Sequence, residues 1–217
     1  MIYEFFRRFG VLMGYPFKWL FFKNKIYYEN DHAPRKVEGG ALIISNHICP
    51  LDYVMNVFVF FPRKLYVVAS EHAFKTWYLR FGMKFWGGIQ ANRETKSLRF
   101  IVESVRELKK GHLVQIFPEG HHTDDGTIKK FYPSYLLIAL KSGAPIVPVI
   151  TDGAYGFTKR VHLMIGEPIK LTDMDVSAKP SREEMERLND MVRQKVLYLR
   201  QRIDMQIEEE RKGRGKQ

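Results

Sequence analysis

Apolar positions along the chain fall into two kinds of pattern. Ala41-Leu42-Ile43-Ile44, Leu65-Tyr66-Val67-Val68-Ala69, Leu113-Val114-Gln115-Ile116-Phe117 and the segments 146–150 and 161–165 are short, nearly continuous and rich in β-branched side chains. Such runs predict buried strands. A further strand, containing glycine, is expected over 83–91. Between these runs the spacing changes to that of helices. Residues 51–61, ended by Pro62, residues 71–81, and residues 135–141, stopped by Gly143, read as helical. The clearest period lies over 95–110, where Leu98, Ile101, Val105 and Leu108 recur and Gly111 stops the helix. Ser181-Arg182-Glu183-Glu184 is a capping box. It opens a long helix with a stripe of Met185, Leu188, Val192, Leu199 and Ile203. Strands that alternate with helices predict an α/β domain, with a mixed, mostly parallel sheet covered by helices.

Residues 1–30 follow neither pattern. Aromatic residues, among them Phe5, Phe9, Phe17 and Trp19, interleave with Arg7, Arg8, Lys18, Lys23 and Lys25. Aromatic rings favour the bilayer interface, and long basic side chains can reach phosphates from it. The segment is therefore expected to associate with a membrane by lying on or dipping into one leaflet; the competing reading is a pair of helices folded onto the core. Gly14-Tyr15-Pro16 is expected to interrupt any single helix. The longest uncharged run here, residues 9–17, is far short of the ~20 residues that span a bilayer. The expected organisation is a membrane-associating segment at 1–30, a catalytic-type α/β domain at 31–210, and a basic, disordered tail at 211–217.

Charge narrows the partners. The 217 residues carry 35 Lys+Arg against 24 Asp+Glu, a net +11. A surface of that sign suits anionic lipid, a phosphorylated substrate or an acidic carrier protein. Nucleic acid is the weakest of the acidic partners, because charge alone supports it and the basic residues sit among lipid-type aromatics. The single cysteine, Cys49, excludes an internal disulfide.

Candidate chemistry starts where the first core strand ends, at Ser45-Asn46-His47-Ile48-Cys49-Pro50-Leu51-Asp52. A histidine that takes up a proton needs a carboxylate to fix its tautomer and stabilise the imidazolium. Positions five apart on one helix lie about 140° apart, so His47 and Asp52 can meet only if the chain turns between them. Pro50 favours that turn, because proline suits the first turn of a helix and disfavours helix before it. The competing reading is that the pair only caps the helix and closes the loop.

Three more stretches follow in order: Gly87-Gly88-Ile89-Gln90-Ala91-Asn92-Arg93, Phe117-Pro118-Glu119-Gly120, and Pro145-Ile146-Val147-Pro148-Val149. Together with Asn46 to Asp52, this set resembles the glycerolipid acyltransferase family, best represented by 1-acylglycerol-3-phosphate acyltransferase. The resemblance covers roughly residues 40–150. It implies transfer of a fatty acyl group from a thioester, acyl-CoA or acyl carrier protein, to the free hydroxyl of lysophosphatidate, giving phosphatidate. It implies His47 as general base, Asp52 as its partner, and no metal or bound cofactor. Arg93 is the first choice for the acceptor's phosphate, with Lys129 and Lys130 behind it. Glu119 and Gly120 are expected at the substrate site, with backbone amides around them as candidate oxyanion donors; Glu119 is expected to hold the loop in shape or hydrogen-bond the acceptor rather than act as a second base. The third motif departs from the family pattern: His121 and His122 stand where Thr and Arg are usual. Either Arg93 and the lysines carry the phosphate, or His122 marks a different acceptor, such as glycerol-3-phosphate or another lysophospholipid. Three readings of other classes compete: Cys49 as a nucleophile, Glu119 with His121, His122, Asp124 and Asp125 as metal ligands, and an inactive protein that only binds membrane surfaces. The expected location is peripheral or monotopic on the cytoplasmic face of a membrane.

Overall fold

The computed structural model describes all residues except 1, 22, 93–96, 124–125, 178 and 215–217. Among the described residues the strands are β1 (Asn24–Tyr28), β2 (Ala41–Ile44), β3 (Leu65–Ser70), β4 (Gly88–Ala91), β5 (Leu113–Ile116), β6 (Ile146–Thr151) and β7 (Val161–Ile165). They form one sheet in the order β1-β7-β6-β2-β5-β3-β4. Every neighbouring pair is parallel except β6 with β7. The mixed, mostly parallel sheet expected from the pattern is therefore present. The helices are α1 (Ile2–Phe21), α2 (Leu51–Val59), α3 (Trp77–Trp86), α4 (Arg99–Lys109), α5 (Ser134–Ser142) and α6 (Arg182–Arg214).

β2 lies at the centre, hydrogen-bonded to β5 and β6, and all four of its residues are buried. Alternation sends its side chains into two different cores. Leu42 and Ile44 pack with Ile101, Leu136, Leu188 and Val192 from α4, α5 and α6. Ala41 and Ile43 pack with Met55 and Val57 of α2 and Val11 of α1. A strand apolar on both faces is what a parallel sheet covered on both sides requires.

Four local expectations are corrected. The helix expected over 71–81 is a 3₁₀ turn, Glu71–Phe74, followed by α3, so the strand expected from 83 starts only at Gly88. Gly87, at φ 90°, ends α3 in the left-handed conformation that glycine adopts without penalty. Leu98 is 64% exposed ahead of α4, and the buried stripe begins at Ile101; residues 95 and 96 lie outside the described residues. α6 continues to Arg214, so 211–214 are helical rather than a disordered tail. Lys25 and Tyr27 both hydrogen-bond Glu210 and fasten this end of the helix.

The N-terminal segment also differs from expectation. α1 is one helix that runs through Pro16. The hydrogen bond that Pro16 cannot make is offset by packing: a Cβ on Gly14 would stand 3.0 Å from Phe58, and Tyr15 meets the rings of Phe58 and Phe61 edge-on. Residues 24–28, expected within the amphipathic segment, form the edge strand β1 against β7.

The parallel strands β2, β5 and β6 end on the same side. Because β7 runs against β6, the connection 152–160 lies on that side as well. Open parallel sheets bind ligands at such ends.

Candidate active site

His47 is fixed from several directions. Its N–H donates to Glu119 Oε1 at 3.2 Å, and its carbonyl accepts from Thr123 N at 2.9 Å. Both bonds come from the loop that follows β5, so the third motif clamps the backbone of the first. The ring stacks on Phe117, centroids 3.9 Å apart and planes 18° from parallel. Before it, Asn46 is buried and exchanges two bonds of 2.9 Å with the backbone of Thr151: Nδ2 donates to the carbonyl, and Oδ1 accepts from the N–H. Ser45 Oγ donates to Val149 O at 2.5 Å. Arg200 of α6 donates to the same Thr151 carbonyl at 2.8 Å. The turn is thereby tied to β5 and β6, the neighbours of β2.

Asp52 meets His47 as the turn chemistry requires. Pro50 has helical dihedrals and precedes α2, so Asp52 occupies the first helical turn and reaches back. Its Oδ2 accepts from Ile48 N at 2.7 Å and Cys49 N at 2.9 Å, and lies 3.2 Å from His47 Nδ1. Its Oδ1 accepts from Tyr155 OH at 2.7 Å. A carboxylate 1% exposed, holding four donors, is pinned in place. It accepts the Nδ1 proton, which leaves Nε2 with the lone pair that can take up a proton. The His47 side chain retains 20% exposure, so the imidazole is reachable while the Asp52 carboxylate is not.

Most of the remaining candidates lie on the loop that follows β5. Glu119 is fully buried, and its second oxygen accepts from Lys129 N at 2.9 Å. Burial pushes its carboxyl up, against the pull of the two amides. Each oxygen accepts from a backbone N–H, which ties this loop to the His47 turn. Gly120, at φ 74°, closes a tight turn, and its N–H donates to Phe117 O at 3.0 Å; it is not available as an oxyanion donor. His122 is exposed, its ring edge-on to His47 at 6.0 Å. Lys129 and Lys130 are exposed on the same loop, and Arg193 holds the carbonyls of Ile128 and Lys129. Arg93, Asp124 and Asp125 lie outside the described residues. Burial first, then Asp52, pushes the Cys49 thiol up, which disfavours a thiolate nucleophile. Among the described residues no three metal-ligating side chains come together.

Sequence reasoning missed Tyr155 and the role of Asn46. Asn46 was visible beside His47, but its partner is 105 positions away. Tyr155 lies 103 positions from Asp52, and its only sign is a Gly-flanked loop after an apolar strand.

What fold and site define together is an α/β protein presenting a carboxylate-braced imidazole where parallel strands end, the layout of a general base that activates a hydroxyl. The chain matches the Acyltransferase family over residues 25–152, which span β1 to the end of β6. The chain belongs to the acyltransferase family. A 1-acyl-sn-glycerol-3-phosphate acyltransferase of Bacillus subtilis is 25% identical over 183 residues, 82% of this chain and 88% of that protein. One of Limnanthes douglasii is 29% identical over 133 residues, 56% of this chain and 46% of that protein. The crystal structure of the 1-acyl-sn-glycerophosphate (LPA) acyltransferase PlsC from Thermotoga maritima superposes with a TM-score of 0.62 at 22% identity. That match covers 91% of this chain and 78% of the other, and it shows a shared fold.

Proposed function

We propose that the protein transfers a fatty acyl group from an acyl thioester to the free hydroxyl of 1-acylglycerol-3-phosphate, giving phosphatidate. The observation that carries this reading is the contact between His47 Nδ1 and the buried Asp52 carboxylate at 3.2 Å. His47 Nε2 takes the hydroxyl proton as the acceptor oxygen attacks the thioester carbonyl, and Asp52 steadies the imidazolium. The tetrahedral intermediate collapses with loss of the C–S bond, and the imidazolium returns its proton to the departing sulfur. A thiol of pKa near ~8.5 leaves readily, so no acyl-enzyme is needed. The names of the curated relatives support the acceptor. His122 favours a second reading of it, since an exposed imidazole stands beside His47 where the family pattern has arginine.

The reaction is placed at a membrane, on its cytoplasmic face, with the protein peripheral or monotopic. α1 docks by a narrow stripe of Arg7, Gly10, Val11 and Gly14, while Phe5, Phe9, Phe17 and Trp19 stand exposed. Trp77, Tyr78 and Phe81 of the adjoining α3 extend this aromatic surface. Among the described residues no helix is long and apolar enough to cross a membrane.

The test is an acceptor panel of lysophosphatidate, glycerol-3-phosphate and other lysophospholipids with a labelled acyl thioester. Lysophosphatidate should be acylated, and His47→Ala should lose about 10²–10⁴-fold in rate. Acylation of no acceptor, or a His47→Ala enzyme as active as wild type, would refute the assignment.

A further inference from the structure

A second feature of the catalytic end of the sheet is not used by the reaction as described. The connection 152–160, the start of β7 and the last turns of α6 enclose a cleft of about 430 Å³. Lys159 and Arg160 from the connection and Arg211 from α6 line it, and all three are exposed. Among the described residues none of the three forms an ion pair. The carboxylates in the cleft already hold hydrogen-bond partners other than these three cations. Asp152 accepts from His162 Nδ1 at 2.7 Å and from the N–H groups of Ala154 and His162, both at 3.0 Å. Glu210 pairs with Lys25 and accepts from Tyr27 OH at 2.5 Å. Three unmatched cations therefore face one concavity, and Thr158 adds a hydroxyl.

We propose that this cleft binds the phosphate groups of the acyl donor, and that the donor is acyl-coenzyme A. The inference rests on the acyl-transfer reading above and deepens it. Two arginines and a lysine suit phosphate oxygens, the arginines through their planar forks. The cleft's volume falls within the range of small-molecule sites, about 300–1,000 Å³. A carrier protein would instead need a broad face of roughly 800 Å². Position agrees as well. The loop that supplies Lys159 and Arg160 also supplies Tyr155, which holds Asp52, and it leaves β6 at Thr151, which holds Asn46. In coenzyme A a long pantetheine arm separates the phosphates from the thioester. Its phosphate site must therefore stand apart from His47 yet on the same end of the sheet, and His47 does not line this cleft.

Two measurements on the full chain test this. The first is calorimetric titration with adenosine 3′,5′-bisphosphate, the phosphate-bearing end of coenzyme A, which needs no turnover. Wild type should bind it, and Arg160→Ala/Arg211→Ala should bind it about 10- to 100-fold more weakly. Thermal melting of the double variant checks that it folds. The second is steady-state kinetics: the double variant should raise KM for acyl-CoA about 10-fold or more and leave KM for lysophosphatidate within about twofold. Lys170→Ala, in a separate cleft between Glu167 and Lys195, should move neither constant. No nucleotide binding by wild type, or equal binding by the double variant, would overturn the proposal. So would a rise in KM for lysophosphatidate alone, which would give the cations to the acceptor, or turnover with acyl carrier protein thioester but none with acyl-CoA. Nucleotide binding without any acyl transfer would instead sink the acyl-transfer reading while leaving the cleft as a nucleotide phosphate site.

Discussion

Tyr155→Phe removes the hydroxyl that supports the carboxylate bracing His47 and that also meets the Thr151 side chain. The change removes the hydroxyl that donates to Asp52 Oδ1 at 2.7 Å and leaves the ring in place. Asp52 is 1% exposed, so water cannot replace the lost donor, and a hydrogen bond to a buried charge is worth about 1.5–3 kcal/mol. For a chain of this length each kcal/mol shifts Tm by about 2–4 °C, so melting should fall by about 3–12 °C. Oδ2 still receives Ile48 N, Cys49 N and His47 Nδ1, so the base keeps its partner. What is lost is the fourth point that stops the carboxylate from pivoting. We expect kcat to fall about 10-fold, which is about 1.4 kcal/mol of barrier, with both KM values unchanged. Release of thiol from acyl-CoA in the presence of lysophosphatidate measures this, and thermal melting measures the stability arm. If Tyr155 acts only through Asp52, adding Tyr155→Phe to Asp52→Asn should cost no further rate. A further 10-fold loss in that background would mean that Tyr155 touches substrate, and a variant with wild-type kcat and Tm would show that the bond carries no energy.

Two other outcomes are expected. Burial works against a charged Glu107, yet hydrogen bonds from Lys110, His112, Tyr66 and Arg106 hold its carboxyl down at about 2, below its ordinary 4.5. A depressed carboxylate stabilises the fold fully above its unfolded value and loses that contribution as pH falls through its folded one. Glu107→Gln should therefore be less stable than wild type at neutral pH, by at most about 3 kcal/mol, and the gap should close between pH 4.5 and about 2; urea unfolding across that range would contradict this if the gap stayed constant. Phe17→Ser/Trp19→Ser removes rings that are 64% and 76% exposed and should weaken sedimentation with anionic vesicles without lowering Tm. Unchanged vesicle binding would remove α1 from the membrane surface.

The contact between His47 and Asp52 was legible in the sequence because its first determinants are local. His47, Pro50 and Asp52 lie within six residues, and proline favours the turn that brings them together. The strands of the central sheet were legible for a related reason: β2, β5 and β6 are apolar on both faces and need no neighbour to be recognised. α3 was misplaced because its residues are not buried, so no core imposes a period on it; the end of the helix depends on Gly87 instead. Pro16 was read as a break because the local rule is strong, but rings from α2 and the residues after it hold the helix together. Glu119 reads in the sequence as a residue that holds its loop in shape or hydrogen-bonds the acceptor; the backbone partners it takes, His47 and Lys129, are visible only in the structure.

The loop after β6 matters more than its sequence suggests. Gly153, at φ +68°, lies so close to the catalytic turn that a Cβ there would stand 2.7 Å from Ile48 Cδ1 and 2.9 Å from Ile48 Cγ2. Two residues later Tyr155 grips Asp52, and a few residues beyond come the cations of the cleft. A loop packed this tightly against Ile48 cannot move without disturbing the residue that donates to Asp52 Oδ2. His47, Asp52 and the proposed phosphate site are thus joined through one loop. Filling the cleft with phosphate would restrain the loop that positions Tyr155, so donor binding and orientation of the base should be coupled rather than independent.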